Sequence, residues 1–164
     1  MRTRRILKHL LTTHSQVTRA FPPSALNAIE KAIRASEAAH AGEIRFVVEG
    51  ALDGMPLFKG QSPRDRAIEL FSQLRVWDTE HNNGLLIYLV LADRAVEIVA
   101  DRGIHAKVGA EEWRRVCHQM ETAFKQSNYE AGVVGGVHAV TQHLVRHFPA
   151  DERANELSDT PVVL

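Results

Sequence analysis

The chain has 164 residues, of which 45% are hydrophobic and 24% charged, a composition typical of one globular domain that needs no disulfide or metal to hold its core. Its 20 basic and 20 acidic residues cancel, which disfavours nucleic acid as a partner, because nucleic-acid-binding domains usually carry a basic excess. The single cysteine, Cys117, excludes an intramolecular disulfide and is interpreted as a structural thiol rather than a nucleophile.

Residues 1–22 are predicted to form an N-terminal amphipathic, basic helix, centred on residues 4–17. Its apolar positions recur on one side, and its basic positions mostly lie elsewhere, as expected of a helix that buries one face. We expect the apolar side to pack on the domain or on a second copy of the chain. The apolar positions are Ile6, Leu7, Leu10, Leu11 and Val17, and the basic positions expected to stay exposed are Arg4, Arg5 and Lys8.

The same N-terminal helix has a second interpretation, in which it contacts a membrane-associated protein partner or an anionic membrane surface. The chain starts with basic residues, but the apolar run that a signal peptide needs, about 7–15 residues, does not follow. No stretch approaches the roughly 18 apolar residues that a transmembrane helix requires. We therefore expect a cytoplasmic protein, peripheral to the membrane if this helix binds one.

Residues 23–149 show the mixed helix and strand pattern of an α/β domain. Pro22-Pro23 ends the N-terminal segment, and Ser24 is the predicted cap of a helix that stops near Gly42. The alternating residues 43–49 predict a first strand, and a loop is expected to follow it.

A further helix is predicted to begin at Ser62-Pro63, because proline is favoured at the first helical position. Asp65 in its first turn suits the positive end of the helix dipole. The residues predicted to form its buried face are Ala67, Ile68, Phe71 and Leu74.

The second half of the domain is predicted to contain a hairpin and two long helices. Residues 85–91 are continuously apolar, as in a central strand buried on both faces, and a short turn joins them to an antiparallel strand over 94–100. The helix between the first two strands predicts that they run parallel. Helices are predicted over 110–126 and 129–147, and residues 150–164 are expected to be a mobile tail.

Five segments between about residues 24 and 148 follow one another in an order that is found in a known family. They are Gly42-Glu43-Ile44, the helix ending in Arg75-Val76-Trp77, Asn82-Asn83-Gly84-Leu85-Leu86-Ile87, Asp93-Arg94 through Asp101-Arg102-Gly103, and the stretch from Phe124 to Gly136. The Asn-Asn-Gly sequence and the hairpin that follows it are the most specific of them. With these segments the chain resembles the TPM domain family.

The resemblance implies a three-layer α/β/α sandwich around a small mixed sheet, here with an extra N-terminal helix. It also implies divalent metal binding, acid phosphatase activity, or a role in the assembly of membrane proteins. This chain departs from the family where an acidic residue often follows the glycine after the third strand. The stretch after Gly103 instead contains Lys107, and acidic residues appear only at Glu111-Glu112, which weakens the expected metal site.

The predicted topology sorts the acidic side chains into two groups at opposite ends of the sheet. Glu49, Asp53 and Asp93 fall at the carboxyl ends of the parallel strands, where α/β proteins usually bind ligands. The family-like motifs instead favour the opposite end. The residues predicted there are Glu43, Asp78, Asn83 and Asp101.

We chose the second group as a site for Ca²⁺ or Mg²⁺, since both ions prefer carboxylate and amide oxygens. Glu43, Asn83 and Asp101 would supply three ligands, with Asp78 as an extra, and Arg102 would neutralise a bound phosphate ester. Two functions stay open. One is a non-catalytic interaction or assembly module associated with membrane proteins, and the other is a weak metal-dependent phosphatase.

Overall fold

A computed structural model describes residues 2–52, 54–151 and 155–164, and its centre is a four-stranded sheet in the order β3-β2-β1-β4. The strands are β1 (Glu43–Glu49), β2 (Gly84–Val90), β3 (Ala95–Ala100) and β4 (Val162–Val163). β1 and β2 are parallel, β2 and β3 form an antiparallel hairpin, and β4 is parallel to β1. The predicted pairing of the first three strands is confirmed.

Helices cover both faces of this sheet. In chain order they are α1 (Arg2–Leu11), α2 (His14–Ala20), α3 (Pro23–Glu37), α4 (Gly54–Lys59), α5 (Pro63–Gln73), α6 (Arg102–Val108), α7 (Ala110–Lys125) and α8 (Tyr129–His147).

The sheet separates two hydrophobic cores, because successive side chains along each strand point to opposite faces. On one face, Phe46 and Ile87 pack with residues of α3, α7 and α8. On the other, Leu86 and Tyr88 pack with residues of α4 and α5. The three-layer α/β/α fold is therefore confirmed, although its apolar interior is divided by the sheet.

The N-terminal segment is two helices, not the single helix predicted over residues 4–17. The break falls at Thr12-Thr13, where the Thr13 amide donates to Oε1 of Gln16 at 3.4 Å. This is the reciprocal capping arrangement of a Thr-x-x-Gln sequence, which starts a new helix.

The packing face predicted for α1 is confirmed for Ile6, which packs against the core that contains Leu86 and Tyr88, but it is wrong for the three leucines. Leu7, Leu10 and Leu11 are 55%, 63% and 63% exposed, respectively. The face that contacts the domain instead carries Arg5 and the buried His9. An ion pair and a buried imidazole thus replace the leucines that the sequence pattern favoured.

Smaller differences concern helix ends and faces. Pro22 takes the cap position predicted for Ser24, with Pro23 as the first helical residue. α5 buries Ala67 and Leu70, whereas Ile68 is 47% exposed. A short helix, α4, lies in the stretch that was predicted as a loop, and α6 lies in a stretch for which no element was predicted.

The described part of the C-terminal tail is ordered into the sheet, so the prediction of a mobile tail is wrong for residues 155–164. The amide of Leu164 donates to the Val48 carbonyl at 2.9 Å, and the amide of Gly50 donates to the Leu164 carbonyl at 3.1 Å. Residues 152–154 lie outside the described ranges. β4 thereby covers an edge of β1 that would otherwise expose unpaired backbone groups.

Among the helices of the described ranges, none is both long enough and apolar enough to cross a bilayer.

Candidate functional site

The topology brings three of the predicted residues together at one end of the sheet, which we call the Asn83 end and define by Glu43, Asn83 and Asp101. Glu43 lies opposite Gly84 in the β1–β2 register, and its amide donates to the Asn83 carbonyl at 3.0 Å. The Asp101 amide donates to the Gly84 carbonyl at 2.9 Å. Parallel β1 and β2 begin here and antiparallel β3 ends here, which is why residues distant in sequence meet.

Two glycines allow the backbone to close around this end. A Cβ atom at Gly84 would lie 1.9 Å from the Val76 carbonyl oxygen, and one at Gly103 would lie 2.5 Å from the Asn82 carbonyl oxygen. The Gly103 amide donates to that same Asn82 oxygen at 3.1 Å. The turn after α5 therefore rests directly on the backbone of β2 and on the start of α6.

Asn83 is fully buried, and only one of the two polar atoms of its side chain forms a hydrogen bond with the described residues. Its Nδ2 donates to the Ala41 carbonyl, and its backbone amide donates to Oγ1 of Thr79 at 3.1 Å. Since a carbonyl can only accept, Ala41 fixes the orientation of the amide group. Its Oδ1 is buried and accepts no hydrogen bond from the described residues.

Asp101 caps α6, and only one of its two carboxylate oxygens accepts a hydrogen bond from the described residues. Its Oδ1 accepts from the Arg102 amide at 2.7 Å, an N-cap contact that sequence reasoning had not assigned to it. Its Oδ2 is buried with no hydrogen-bond partner among the described residues. Such buried, unpaired oxygens are uncommon in proteins and call for a ligand or an ordered water.

Glu43 is buried and holds the C-terminal segment. Its Oε1 accepts from the Glu156 amide at 3.2 Å and its Oε2 from the Leu157 amide at 3.1 Å. Burial raises the pKa of Glu43, and these two amides work against that rise. The sequence offered no signal for this contact, because more than a hundred residues separate the partners.

The remaining two predicted residues lie at the rim. The Asp78 carboxylate is 56% exposed and lies 3.9 Å from the guanidinium of Arg75. The Arg102 side chain is exposed and makes no ion pair within the described ranges. The structure therefore places the backbones of Glu43, Asn83 and Asp101 at the same end of the sheet, with the Asp78 and Arg102 side chains exposed at its rim.

The opposite end, which we call the Asp93 end and define by Glu49 and Asp93, is already neutralised. Arg66 donates to both Glu49 oxygens, at 2.9 and 3.0 Å, and the Tyr88 hydroxyl donates to the same carboxylate at 2.7 Å. Burial, then this hydrogen bond, raises the pKa of Tyr88. Asp53, the third residue predicted here, lies outside the described residues.

Asp93 is paired with α1. Its carboxylate lies 2.9 Å from a guanidinium nitrogen of Arg5 and 3.1 Å from Nε2 of His9. The Nδ1 atom of His9 accepts from the Leu52 amide at 2.9 Å, so the ring proton sits on Nε2 and faces Asp93. Both acids of the Asp93 end thus have cationic or donor partners, which leaves the Asn83 end as the better cation site.

A cavity of about 230 Å³ borders the Asn83 end between α3 and the C-terminal segment. Burial raises the pKa of Glu37 to about 9, against the opposing effect of the Ile44 amide, with Glu43 and Asp159 adding to the rise. Burial also lowers the pKa of His40 to about 4. The cavity is thus lined by a carboxyl group and an imidazole that are both neutral at pH 7.

The donor atoms of the Asn83 end disfavour a zinc site. Among the described residues, no three His, Cys, Asp or Glu side chains are grouped to hold a metal ion. The Asn83 end offers only oxygen donors, one of them an amide, which suits Ca²⁺ or Mg²⁺ rather than zinc. Cys117 is half-buried, and burial raises its pKa to about 12, which leaves a thiol at neutral pH, as predicted.

Comparison with known proteins gives one family and several similar structures. A family model described as the TPM domain matches residues 16–143. The BA42 protein of the psychrophilic bacterium Bizionia argentinensis, solved by NMR, is 30% identical over 86% of this chain and 93% of its own, with a TM-score of 0.75. No curated protein matches the chain significantly.

Two further NMR structures are similar. The N-terminal domain of a P. gingivalis protein is 26% identical over 79% of this chain and 82% of its own, with a TM-score of 0.63. The N-terminal domain of a Corynebacterium glutamicum protein is 14% identical over 82% of this chain and 80% of its own, with a TM-score of 0.57. At that identity the last comparison supports the fold alone.

Proposed function

This chain belongs to the TPM domain family, and from that premise we propose that it is a non-catalytic interaction module that binds Ca²⁺ or Mg²⁺ at the Asn83 end. One observation carries the proposal. Two buried oxygens, Oδ1 of Asn83 and Oδ2 of Asp101, lack a hydrogen-bond partner among the described residues. The assembly role that the family resemblance implies would place this module next to membrane proteins.

The donor set fits a hard cation. An unpaired buried oxygen costs the protein about 1–3 kcal/mol, and a bound cation would offset that cost at both atoms. Glu43 would supply a third ligand, because each of its oxygens accepts one backbone amide from the described residues and keeps a lone pair for a cation. Asp78 and backbone carbonyls of the turn after α5 would complete the shell only if the turn moved.

Weak affinity is expected from this set. Only Asp101 and Glu43 bring negative charge, and Glu43 already serves two amides. Calcium sites with few charged ligands bind with dissociation constants of about 0.1–1 mM. The cation would then stabilise the turn after α5 and the start of α6, which shape the surface offered to a partner.

The test is a titration of the protein with CaCl₂ and with MgCl₂, followed by NMR shifts of backbone amides. We expect millimolar binding that moves the amides of Asn83 and Arg102. Asp101→Asn should abolish it, because asparagine still caps α6 through its Oδ1 but presents an NH₂ group in place of the ligand oxygen. The matched control is Asp65→Asn, the same change at the N-terminus of α5, at the other end of the sheet.

Two results would contradict the cation site. One is an unchanged spectrum of the wild-type protein at 10-fold above the expected dissociation constant, that is, about 10 mM metal. The other is equal binding by the wild-type protein and Asp101→Asn. A thermal melt of each variant shows whether the fold is intact, so that loss of binding is not mistaken for unfolding.

A weak metal-dependent phosphatase is the second candidate, and the position of Arg102 favours it. This exposed side chain follows Asp101 directly and is free of ion pairs within the described ranges, so it is available to a phosphate ester. A general base is harder to find, because Glu43 is committed to the C-terminal amides.

Hydrolysis of a chromogenic aryl phosphate separates the two functions. Turnover that EDTA removes and that falls in both Asp101→Asn and Arg102→Gln would establish the phosphatase. Cation binding without turnover above that of Asp101→Asn would support the non-catalytic module. Arg102→Gln should in that case leave cation binding unchanged.

A further inference from the structure

A groove of about 710 Å³ lies between the N-terminal helices and the turn of the β2–β3 hairpin, away from the Asn83 end. Three cationic side chains line it: Lys8 from α1, Arg19 from α2 and Arg94 from the hairpin turn. No acidic residue is among its described lining residues. The nearest carboxylate in sequence, Asp93, faces Arg5 and His9.

The three groove cations are available to a ligand. Lys8, Arg19 and Arg94 are exposed, and none of them makes an ion pair within residues 2–52, 54–151 and 155–164. They come from three different elements, so the positive charge is spread over an area rather than focused on one point. Like charges gathered without a counter-charge repel one another and attract an anionic surface.

An apolar stripe on α1 adjoins this groove. Leu7, Leu10 and Leu11 are 55%, 63% and 63% exposed, and their i, i+3 and i+4 spacing places them on one side of the helix. Leu11 also lines the groove, next to Lys8. Exposed leucines that adjoin one another mark a surface that contacts something else.

The orientation of α1 is fixed, so these leucines cannot simply turn inward. Arg5 and His9, on the opposite side of the helix, are tied to Asp93, and His9 is 3% exposed. A helix held by one polar face, with leucines and cations on the other, is the arrangement of an interfacial helix. α1 also precedes residues 16–143, the part of the chain matched by the family model.

We propose that α1 and the adjacent groove dock this protein on an anionic phospholipid membrane. The leucines enter the boundary between head groups and acyl chains, while Lys8, Arg19 and Arg94 contact lipid phosphates. A soluble anion would account for the cations but not for the leucine stripe. A second copy of the chain would account for the leucines but would bring three uncompensated cations against three more.

Co-sedimentation with vesicles tests this docking surface. The full chain is mixed with vesicles of phosphatidylcholine, with and without phosphatidylserine, at low and high salt. We expect binding only with phosphatidylserine, and weaker binding at high salt because surface charges are screened. Inorganic phosphate at millimolar concentration should not displace the protein from the vesicles.

Variants separate the two parts of the surface. The triple variant Lys8→Gln, Arg19→Gln and Arg94→Gln should lower the partition coefficient by about 100-fold, or about fivefold for each cation. Leu7→Ser with Leu11→Ser should lower it by about tenfold through lost apolar burial. The matched control removes three exposed cations elsewhere. Its substitutions are Lys31→Gln, Lys59→Gln and Arg146→Gln.

Four results would overturn the proposal. They are no binding to phosphatidylserine vesicles by the wild-type protein, equal binding to neutral vesicles, equal losses in the groove and control triple variants, and displacement by phosphate alone. Sedimentation velocity adds a fifth: a dimer that dissociates in the leucine variant would assign the stripe to a second copy. Cation binding at the Asn83 end does not enter any of these readouts.

Discussion

The carbonyl oxygen of Val76 occupies the space that a side chain at position 84 would need. This contact explains the glycine in the Asn-Asn-Gly sequence: Gly84 lies in β2, where only a hydrogen atom fits below the turn after α5. A turn motif was the simplest interpretation of those three residues. The structure gives the two neighbouring residues separate roles. The Asn83 side chain donates to the Ala41 carbonyl, and Gly84 leaves space for the Val76 carbonyl of the turn.

Substitution of this glycine should be severe. In Gly84→Ala the new Cβ atom would meet a backbone oxygen at 1.9 Å, so the turn or the strand must move. We expect a loss of at least about 3 kcal/mol in the free energy of unfolding, measured with urea. Gly135→Ala is the matched control, because a Cβ atom at this exposed position in α8 would have no neighbour within 4 Å.

The control substitution should raise the free energy of unfolding. Alanine in a helix is favoured over glycine by about 0.5–1 kcal/mol, so Gly135→Ala should stabilise the protein. Equal stabilities of Gly84→Ala and the wild-type protein would show that the turn after α5 does not rest on β2.

Individual residues also show where sequence reasoning succeeds and where it stops. Asn83 and Asp101 were predicted to lie at the same end of the sheet, because the strand topology alone places them there. Their unpaired oxygens were not predictable, since hydrogen-bond satisfaction depends on Ala41 and on the cap of α6. Glu43 was predicted as a free ligand, but it serves amides contributed from the far end of the chain.

Among the secondary-structure elements, periodic ones were predicted well and the others were not. β1, β2 and β3 were recognisable from alternation or from continuous apolar runs. β4 has two residues, too few for any periodic signal, and exists only because it pairs with β1. On α5 the predicted buried face included Ile68, but Ala67 and Leu70 are the buried residues, because the position of the sheet decides which side of the helix is covered.

The break between α1 and α2 could have been predicted from the sequence. Thr13-x-x-Gln16 is a capping-box sequence, and the structure shows the Gln16 side chain accepting from the Thr13 amide. The continuous apolar pattern hid it, because Val17 falls in register with Leu10 as though one helix carried both. A cap signal should therefore outrank the continuity of an apolar stripe.

The contact between α3 and the C-terminal segment should make stability depend on pH. The pKa of Glu37 is about 9 when folded and near 4.5 when unfolded, so the folded state holds an extra proton between those values. Its contribution is fully present below pH 4.5 and is lost as pH rises to 9. His40, with a folded pKa of about 4 against 6.5, acts in the opposite direction between pH 4 and 6.5.

The pH dependences of these two groups largely cancel between pH 4.5 and 6.5, and of the two only Glu37 acts above pH 6.5. Replacement by glutamine removes the titration while keeping an oxygen for the Ile44 amide. We expect the stability of Glu37→Gln relative to the wild-type protein to rise steadily from pH 6.5 to 9 in urea denaturation. A difference that stays constant over this range would show that Glu37 is ionised in the folded protein at pH 7.

Over the whole molecule, both end segments of the chain pack against the sheet. α1 contacts the Asp93 end through Arg5 and His9. The C-terminal segment begins at the Asn83 end, where Glu43 accepts its amides, and ends in β4, where Leu164 is bonded to Val48 and Gly50. The C-terminal segment was expected to be mobile, and the N-terminal helix was expected to pack through its leucines rather than through Arg5 and His9. Their contacts span most of the sequence, and no local pattern reports such long-range partners.

The attachment of the N-terminal helices is best tested by removing them. Without residues 1–20, Asp93 loses both Arg5 and His9, the Leu52 amide loses its acceptor, and the core loses Val17, which is 2% exposed. An unsatisfied amide costs about 1–3 kcal/mol and a buried valine contributes about 1.5–3 kcal/mol. At about 2–4 °C per kcal/mol for a chain of this size, the melting temperature should fall by at least about 5 °C. Leu7→Ser with Leu11→Ser alters only exposed positions of the same helix and should leave the melting temperature unchanged. An unchanged value after the deletion would mean that α1 and α2 do not stabilise the domain, whereas a fall in the leucine variant would mean that the stripe packs against the protein itself.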